Sequence, residues 1–535
     1  MKEFKVLFVV FIGLIITIGC KEQKTKQDVS NTVETKLSEE QLYRPNFHFT
    51  PKANWMNDPN GMFFYNGYYH LYFQYYPDGN VWGPMHWGHA ISTDMVTWVE
   101  KPIALYPDEK GYIFSGSAVV DADNTSGFGK GGKIPTIAMF TYHNMDKEKN
   151  GDVNFQSQAI AYSLDEGLTW EKYADNPVIK NPNIKDFRDP KVVWDEVNEK
   201  WIMVLAAGQE IMFYSSKNLK DWELLSNFGE NIGSHDGVWE CPDLFAMQVE
   251  GTDEVKWVLI VSVGKGGYNM GSATQYFVGD FDGKNFTIDP DFKNELDTNN
   301  ASWIDYGKDN YAGVTWSNIP DTDGRKLFIG WMSNWQYATK VPTEKWRSSM
   351  TVARELKLTK TNNKYQLKSV PVKEISNYIS KTVKKNSINI EKGKQTLLTN
   401  KKLIDFKSLD IQFTIKNLKE DTYTFCFDNK SGDAIKFGLN NNEQFFFIDR
   451  MVSGNVSFSE EFAPKISKAP FTTTENELEV RLLLDKTSIE IFYNNGETVM
   501  TEIFFPKNPI EAFSVQSENF NIEIENLIIN ELNFN

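Results

Sequence analysis

The chain has 535 residues, of which 41% are hydrophobic and 24% charged, so it is a folded protein too long for one compact core. Its formal net charge of −16 excludes the basic surface that nucleic-acid binding requires, and we expect no nucleic-acid partner. Three cysteines cannot form a disulfide framework, and the six histidines lack metal-ligand spacing. We therefore expect no metal and no cofactor.

The first 19 residues have the pattern of a secretion signal. Lys2 and Lys5 precede an apolar run over 6–19, whose 14 residues are fewer than the roughly 20 that a membrane-spanning helix needs. Gly19 then precedes Cys20. This order resembles a bacterial lipoprotein signal, in which the cysteine carries the lipid; a plain signal peptide with an incidental cysteine is the alternative.

We accordingly interpret residues 1–19 as a signal peptide of the lipoprotein type and residues 20–42, which are polar, as a flexible tether. The prediction is an exported protein of the cell envelope, periplasmic or at the cell surface. We also expect a membrane as a partner, to which the lipid on Cys20 would anchor the protein.

Short strands and turns rich in Gly, Asn and Asp fill residues 43–360. One pattern recurs there: an apolar strand end, a polar turn and an aromatic residue. Its copies end at Trp98, Trp170, Trp222 and, more loosely, Phe286, with spacings of 72, 52 and 64 residues. About 320 residues at roughly 64 per unit predict a five-bladed β-propeller with its site in the axial funnel. An irregular β-sandwich is the alternative.

The composition and the pattern of the sequence change after residue 360. Tryptophan is absent beyond Trp346, and segments such as 410–415 and 488–493 alternate apolar and polar residues between short turns. We interpret residues 361–384 as a linker and 385–535 as a C-terminal β-sandwich. The predicted fold class is thus all-β. The sandwich contains no convergent acids, which favours a structural role over separate sugar binding.

Three acidic segments lie on three different predicted blades. Hydrolysis of a glycosidic bond needs one ionised and one protonated carboxyl group close together, and the axis of a propeller can bring distant strands together. Asp58 lies in an Asn-Asp-Pro-Asn-Gly turn whose amides can hold it ionised. Arg188 adjoins Asp189 and is expected to keep it ionised, whereas the apolar neighbours of Glu240 favour the protonated acid. A surface turn, a surface ion pair and a buried core glutamate are the respective alternatives.

Together these segments resemble glycoside hydrolase family 32, the β-fructofuranosidases that include invertases, inulinases and levanases. The matching segments are Trp-Met-Asn-Asp-Pro-Asn-Gly at 55–61, Arg-Asp-Pro at 188–190 and Glu-Cys at 240–241, and the resemblance extends from about residue 43 to the end. It implies a propeller followed by a sandwich, and no cofactor.

The resemblance also implies roles for single residues. Asp58 would be the nucleophile, Glu240 the acid/base and Asp189 the group that stabilises the transition state. The implied substrate-binding residues are Asn57, Gln74, Trp82, Phe114, Ser115, Arg188 and Trp331. Packing within a blade is the alternative for Trp82 and Trp331.

The expected activity is that of a retaining hydrolase that releases terminal β-D-fructofuranosyl residues from fructans through a covalent fructosyl-enzyme. Levan and inulin are the expected substrates, with sucrose as a further candidate. An endo-levanase and a fructosyltransferase are alternatives on the same site. A glycan-binding lipoprotein without activity is an alternative from a different class.

Overall fold

The computed structural model describes residues 37–471 and 476–534. These residues form 34 β-strands and three short α-helices, α1 (Glu39–Tyr43), α2 (Met145–Lys149) and α3 (Pro290–Asn299), with 3-10 turns at Ala338–Lys340 and Lys373–Tyr378. The all-β prediction is confirmed. The predicted signal peptide, Cys20 and the tether up to residue 36 lie outside the described residues. No helix among those described is long and apolar enough to cross a membrane.

Five sheets contain the strands between residues 54 and 371. The first has β1 (Asn54–Tyr65), β2 (Tyr68–Tyr76), β3 (His86–Ser92) and β4 (Val99–Leu105). The second has β5 (Tyr112–Val120), β6 (Thr136–His143), β7 (Gln156–Ser163) and β8 (Glu171–Lys172). The third has β9 (Phe187–Asp195), β10 (Lys200–Ala207), β11 (Glu210–Ser216) and β12 (Glu223–Phe228).

The fourth sheet has β13 (Trp239–Gln248), β14 (Val255–Val263), β15 (Ala273–Phe281) and β16 (Phe286–Ile288). The chain then forms β17 (Tyr311–Thr315), β18 (Lys326–Met332), β19 (Trp346–Arg347), β20 (Ser349–Met350), β21 (Arg354–Thr361) and β22 (Lys364–Pro371). All of these except β19 belong to the fifth sheet, whereas β19 pairs in parallel with β1. The pairing of β19 with β1 therefore joins the first sheet to the part of the chain that forms the fifth sheet.

The first strands of the five sheets contact one another in a closed cycle. β1 contacts β5, β5 contacts β9, β9 contacts β13, β13 contacts β17, and β17 contacts β1. Asp58, Asp189 and Glu240 lie on three of these strands, β1, β9 and β13. The cycle thus brings acids that are far apart in sequence to a common centre.

The repeated segments of the sequence join the third strand to the fourth in four of the sheets. In each turn a side chain accepts hydrogen bonds from backbone N–H groups two to four residues ahead, as Asp and Asn commonly do. The four acceptors are Asp94, Asp165, Asn218 and Asp282. The repeat is therefore a local turn motif, which explains why it is visible in the sequence.

Two six-stranded antiparallel sheets follow. Their strands are β23 (Ile379–Ile390), β24 (Thr396–Asn400), β25 (Ser408–Lys416), β26 (Thr422–Asp428), β27 (Ala434–Asn440), β28 (Phe445–Val452), β29 (Ser467–Pro470), β30 (Glu477–Asp485), β31 (Ser488–Tyr493), β32 (Thr498–Ile503), β33 (Ala512–Ser517) and β34 (Ile522–Leu532). The order is β23-β34-β25-β30-β31-β32 in one sheet and β24-β33-β26-β27-β28-β29 in the other. Residues of both sheets form one apolar core. The segment expected as a linker, 361–384, holds β22, the second 3-10 turn and the start of β23.

Buried ion pairs join these two sheets to the preceding part of the chain. Arg354 lies between Asp305 and Glu490, with 2.9 Å from its Nη1 to Asp305 Oδ2. His48 bridges Asp485 and Glu490 through its two ring nitrogens, at 2.9 and 2.7 Å. Burial opposes protonation of His48, but these hydrogen bonds to carboxylates outweigh it and raise its pKa to about 9.

Candidate active site

A cavity of about 220 Å³ lies where the first strands meet. Its lining residues are Asn57, Asp58, Gln74, Trp82, Phe114, Ser115, His143, Glu148, Phe155, Gln156, Asp186, Arg188, Asp189, Glu240 and Trp335. The three predicted catalytic acids are therefore brought together. Of the predicted substrate-binding residues, all except Trp331 line the cavity.

Asp58 reaches the cavity because β1 is irregular at this point. The register with β2 shifts between Asn57 and Pro59, which leaves Asp58 outside the ladder. Ser115 Oγ donates a hydrogen bond to Asp58 Oδ2 at 3.0 Å, whereas the buried Oδ1 has no hydrogen-bond partner among the described residues. Burial and the charge of Glu240 raise the pKa of Asp58, and hydrogen bonds from Asn57 and Ser115 oppose the rise. One carboxylate oxygen is thus held, and the other is available to a ligand.

Asp189 is held at a strained backbone position, with φ at +65°. Its backbone N–H donates to Thr141 Oγ1 at 3.0 Å, and its Oδ2 accepts from the Cys241 N–H at 3.1 Å. Burial raises its pKa to about 7, against the opposing charge of Arg188 and together with the charges of Glu240 and Asp58. The sequence-based expectation that Arg188 keeps the pKa of Asp189 low is therefore wrong, because burial outweighs the guanidinium.

Arg188 instead contacts other acids more closely. Its Nη2 lies 2.8 Å from Glu240 Oε1 and its Nη1 lies 2.7 Å from Asp186 Oδ1, whereas its Nε is 3.9 Å from Asp189 Oδ2. These charges outweigh burial and raise the pKa of Arg188. The guanidinium is thus a fixed positive group whose principal contact among the three catalytic candidates is Glu240.

Both oxygens of Glu240 accept hydrogen bonds. Arg188 donates to Oε1, and the hydroxyl of Tyr311, on β17, donates to Oε2. Gly264 lies alongside, where a Cβ atom would be 3.4 Å from Glu240 Oε2. The expected apolar environment of Glu240 is therefore wrong. Its immediate neighbours orient the carboxyl group, and Tyr311 is a contact that the sequence did not predict.

Cys241 connects two of the acids. Its Sγ lies 3.7 Å from Asp58 Oδ2 and 3.6 Å from Asp189 Oδ2. Burial and the surrounding carboxylates raise the pKa of Cys241 well above its usual range, so that it is a thiol and a weak donor. Because both carboxylates contact one sulfur atom, they share a single small space.

Aromatic rings form one wall of the cavity. The ring of Trp82 meets that of Phe114 edge to face, with 6.1 Å between centroids. Trp335 also lines the cavity, and its ring centroid lies 4.9 Å from that of Trp331. Trp331 is fully buried and donates its indole N–H to the backbone oxygen of Met56. Trp331 thus packs behind Trp335, which lies four residues later in the same segment and is one of the lining residues that the sequence did not predict.

Polar side chains that line the cavity are available to a ligand. Gln74 is 2% exposed, and its Nε2 has no hydrogen-bond partner among the described residues. Trp55 donates its indole N–H to Asn57 Oδ1 at 2.7 Å and so fixes the direction of that amide. Within the described residues, no group of three or more His, Cys, Asp or Glu side chains has an arrangement that could hold a metal ion.

Comparison with known families agrees with this geometry. Residues 48–371 match the model of the glycosyl hydrolases family 32 N-terminal domain, and residues 374–531 match the family 32 C-terminal model. The chain belongs to glycosyl hydrolase family 32. This family 32 protein is a glycoside hydrolase, and the resemblance found in the three acidic segments is confirmed.

Named relatives of this family 32 chain cover most of its length. It is 46% identical to a levanase of Bacillus subtilis (strain 168) over 491 residues, which are 92% of this chain and 70% of the levanase. It is 38% identical to the extracellular exo-inulinase inuE of Aspergillus ficuum over 503 residues, 88% of this chain and 90% of the relative. The crystal structure of exo-inulinase from Aspergillus awamori is similar with a TM-score of 0.82 at 35% identity, covering 93% of this chain and 99% of that one.

Proposed function

We propose that this enzyme is a retaining exo-hydrolase that removes terminal β-D-fructofuranosyl residues from fructans such as levan and inulin. The relatives named as levanase and exo-inulinase support this substrate class. The observation that carries the proposal is the convergence of Asp58, Asp189 and Glu240 in one small cavity.

The size of the cavity supports action at a chain end. About 220 Å³ is less than the roughly 300–1,000 Å³ of pockets that enclose drug-sized ligands. One fructosyl unit suits such a space better than an internal segment of a polymer. This favours release of single fructose units.

The architecture that goes with this proposal is a five-bladed β-propeller followed by a β-sandwich. The five sheets and the closed cycle of their first strands support the propeller over residues 43–360. The shared apolar core of the two six-stranded sheets supports the sandwich over 385–535, with the propeller's last strand and a connection between them. In such a propeller the blades surround a central channel.

In the first step of the proposed reaction, a carboxylate oxygen of Asp58 attacks the anomeric C2 of the terminal fructosyl unit. The bond from C2 to the bridging oxygen breaks, and Glu240 gives its proton to that oxygen. An ester bond between Asp58 and C2 results, and the shortened fructan leaves as an alcohol. Asp58 Oδ1, which lacks a described partner, is the oxygen we assign as nucleophile.

In the second step, Glu240 takes a proton from water, and the water oxygen attacks C2. The ester bond breaks, Asp58 regains its negative charge, and fructose leaves with its β-configuration retained. In its ionised form, Asp189 accepts hydrogen bonds from ring hydroxyls and stabilises the positive charge that develops at C2 in both steps. Asn57, Gln74, Trp82, Phe114, Ser115 and Arg188 would surround the fructosyl unit.

Product analysis tests the proposal. Wild-type enzyme, Asp58→Asn and the surface control Asp123→Asn are incubated with levan, inulin and sucrose, and products are separated over time. Free fructose from the earliest time points, lost only in Asp58→Asn, is expected. Oligosaccharides from the start would indicate an endo-levanase, fructosylated sugars a transferase, and binding without turnover a glycan-binding protein; each contradicts the proposal.

Retention is tested separately by adding methanol as an alternative acceptor. A retaining enzyme transfers the fructosyl group from Asp58 to methanol and forms methyl β-D-fructofuranoside. Formation of the α-anomer would refute the covalent intermediate.

We also propose export, because relatives are named as extracellular enzymes, and lipid anchoring at Cys20. Fractionation of cells that produce the full chain tests both. Membrane association that is lost in Cys20→Ala is expected, whereas an unchanged soluble distribution of both proteins would refute the anchor.

A further inference from the structure

One lining residue of the cavity lies on a segment that the catalytic proposal does not use. α2 leaves the second sheet after β6 and carries Glu148 to the rim, where this side chain is 41% exposed. Asn144 caps the helix by accepting from the N–H of Lys147 at 3.0 Å. The chain then returns through Phe155 to β7, and the Asn144 N–H donates to the Phe155 backbone oxygen at 2.8 Å. This hydrogen bond joins the two ends of the connection between β6 and β7, which therefore holds α2 at the rim of the cavity.

A buried histidine fixes the Glu148 side chain. His143 Nε2 lies 3.0 Å from Glu148 Oε2, and the His143 side chain is only 4% exposed. This hydrogen bond engages Oε2 and leaves the other carboxylate oxygen, Oε1, as a second acceptor. Glu148 therefore presents one held oxygen and one available acceptor beside the opening.

The proton on His143 is assigned by the hydrogen bonds behind it. Gln156 Oε1 accepts from the Phe187 N–H at 2.7 Å, so the amide nitrogen of Gln156 is the atom 3.2 Å from His143 Nδ1. An amide NH₂ group only donates, and Nδ1 must then be the acceptor. His143 consequently carries its hydrogen on Nε2 and donates it to Glu148. Burial lowers the pKa of His143, in agreement with a neutral ring.

This chain of contacts begins next to the catalytic candidates. Phe187 immediately precedes Arg188 and Asp189 on β9. The His143 ring also stacks on Phe114, with 4.2 Å between centroids and 8° between planes, and Phe114 lines the fructosyl pocket. The position of Glu148 is thus set relative to the reacting centre by rigid β-structure on two sides.

We propose that Glu148 is a specificity residue that accepts a hydrogen bond from a hydroxyl group of the leaving sugar unit, the one joined to the fructosyl residue being cleaved. His143 and Gln156 are positioning residues that hold its carboxylate at the rim. A carboxylate can accept hydrogen bonds from a neutral, hydroxyl-rich sugar unit. It makes no such bond to a leaving group that has no further hydroxyl group. The inference rests on the proposed function, because it assigns a further contact in the same site.

Two substrates that differ only on the leaving side test this inference. Sucrose or a short fructan has a hydroxyl-rich leaving unit, whereas methyl β-D-fructofuranoside leaves as methanol. In Glu148→Ala, kcat/KM for the sugar-bearing substrate should fall about tenfold or more, the range of a hydrogen bond to a charged group. For the methyl fructoside it should change less than twofold. Glu148→Gln, which keeps an acceptor oxygen, should restore part of the loss.

Two further variants distinguish the positioning of Glu148 from a general effect on the folding of this segment. Asp146→Ala removes an exposed acid from the same helix and should leave both substrates unaffected. His143→Phe keeps a ring against Phe114 but removes the donor to Glu148, so it should show the same selective loss, and the double variant with Glu148→Ala should lose no more than either single variant.

The outcomes are distinguishable. Equal loss for both substrates, or no loss for either, would overturn the role of Glu148 alone. Wild-type enzyme inactive on both substrates would refute the proposed function, and the role of Glu148 with it.

Discussion

The hydroxyl group of Tyr311 on β17 donates a hydrogen bond to Oε2 of Glu240 on β13. The residues belong to neighbouring sheets, and Arg188 on β9 holds the other carboxyl oxygen of Glu240. Residues on β9 and β17 therefore orient the carboxyl group of Glu240, which is proposed to move protons between the enzyme, the leaving oxygen and water.

Removal of this hydroxyl should impair catalysis more than folding. In Tyr311→Phe, we expect kcat to fall about 10- to 100-fold, the equivalent of one hydrogen bond to a charged group, with little change in KM. The control is Tyr337→Phe, since Tyr337 is equally buried but donates to Asp309, away from the cavity. Steady-state kinetics and thermal unfolding of both variants check this; a Tyr311→Phe enzyme with unchanged kcat would show that the contact is dispensable.

The pH dependence of activity should respond to Ser115. Its hydroxyl stabilises ionised Asp58, whose pKa burial already raises. In Ser115→Ala the pKa of Asp58 should rise further, and the acidic limb of the kcat/KM profile should move to higher pH. Ser117→Ala is the matched control, because that hydroxyl on the same strand donates to the backbone oxygen of Pro190. An acidic limb that stays in place would contradict the assignment of Asp58.

Asp189 should cost stability at neutral pH. Its pKa is about 7 in the folded protein against an ordinary 3.8. Below the lower value both states are protonated and ionisation of the side chain does not affect stability. Between the two values the unfolded state alone is ionised, and stability falls as the pH rises. Near pH 4, Asp189→Asn should therefore unfold at the same temperature as wild type. At pH 8 it should unfold at a higher temperature, with a free energy of unfolding larger by up to about 4 kcal/mol. The variant should lose activity. Equal unfolding temperatures at pH 8 would contradict the raised pKa.

His48, in contrast to Asp189, should stabilise the folded protein, and its contribution should be largest at low pH. Its pKa of about 9 exceeds the ordinary 6.5, so its contribution to stability is complete below 6.5 and is lost as the pH rises through 9. His48→Gln should be less stable than wild type by about 3 kcal/mol at pH 6, and the difference should vanish towards pH 10. Unfolding curves at several pH values check this, and a difference independent of pH would contradict a protonated His48.

Much of the fold and the centre of the site followed from local sequence. The recurring turns hold their own backbone N–H groups through Asp94, Asp165, Asn218 and Asp282, so the pattern is complete within each short segment. The three acids were identified for the same reason, because each lies in a distinctive run of neighbours.

Contacts made by the assembled strands were not predictable in this way. Trp331 and Trp335 belong to one segment, and only the packing against Trp55 and Met56 decides which ring reaches the cavity. The preference of Arg188 for Glu240 depends on the relative positions of β9 and β13. Glu148 lies in a polar connection that looks like any surface loop, and its position depends on His143 on β6 and Gln156 on β7.

The rate of fructose release from levan and inulin by Asp58→Asn, Asp189→Asn and Glu240→Gln tests the central claim most directly. With folding confirmed by unfolding curves, each substitution should reduce kcat by at least about a hundredfold, as expected for groups that stabilise the charges of the transition state. Any one of the three variants that keeps more than a tenth of the wild-type kcat on both polymers would contradict a shared catalytic centre.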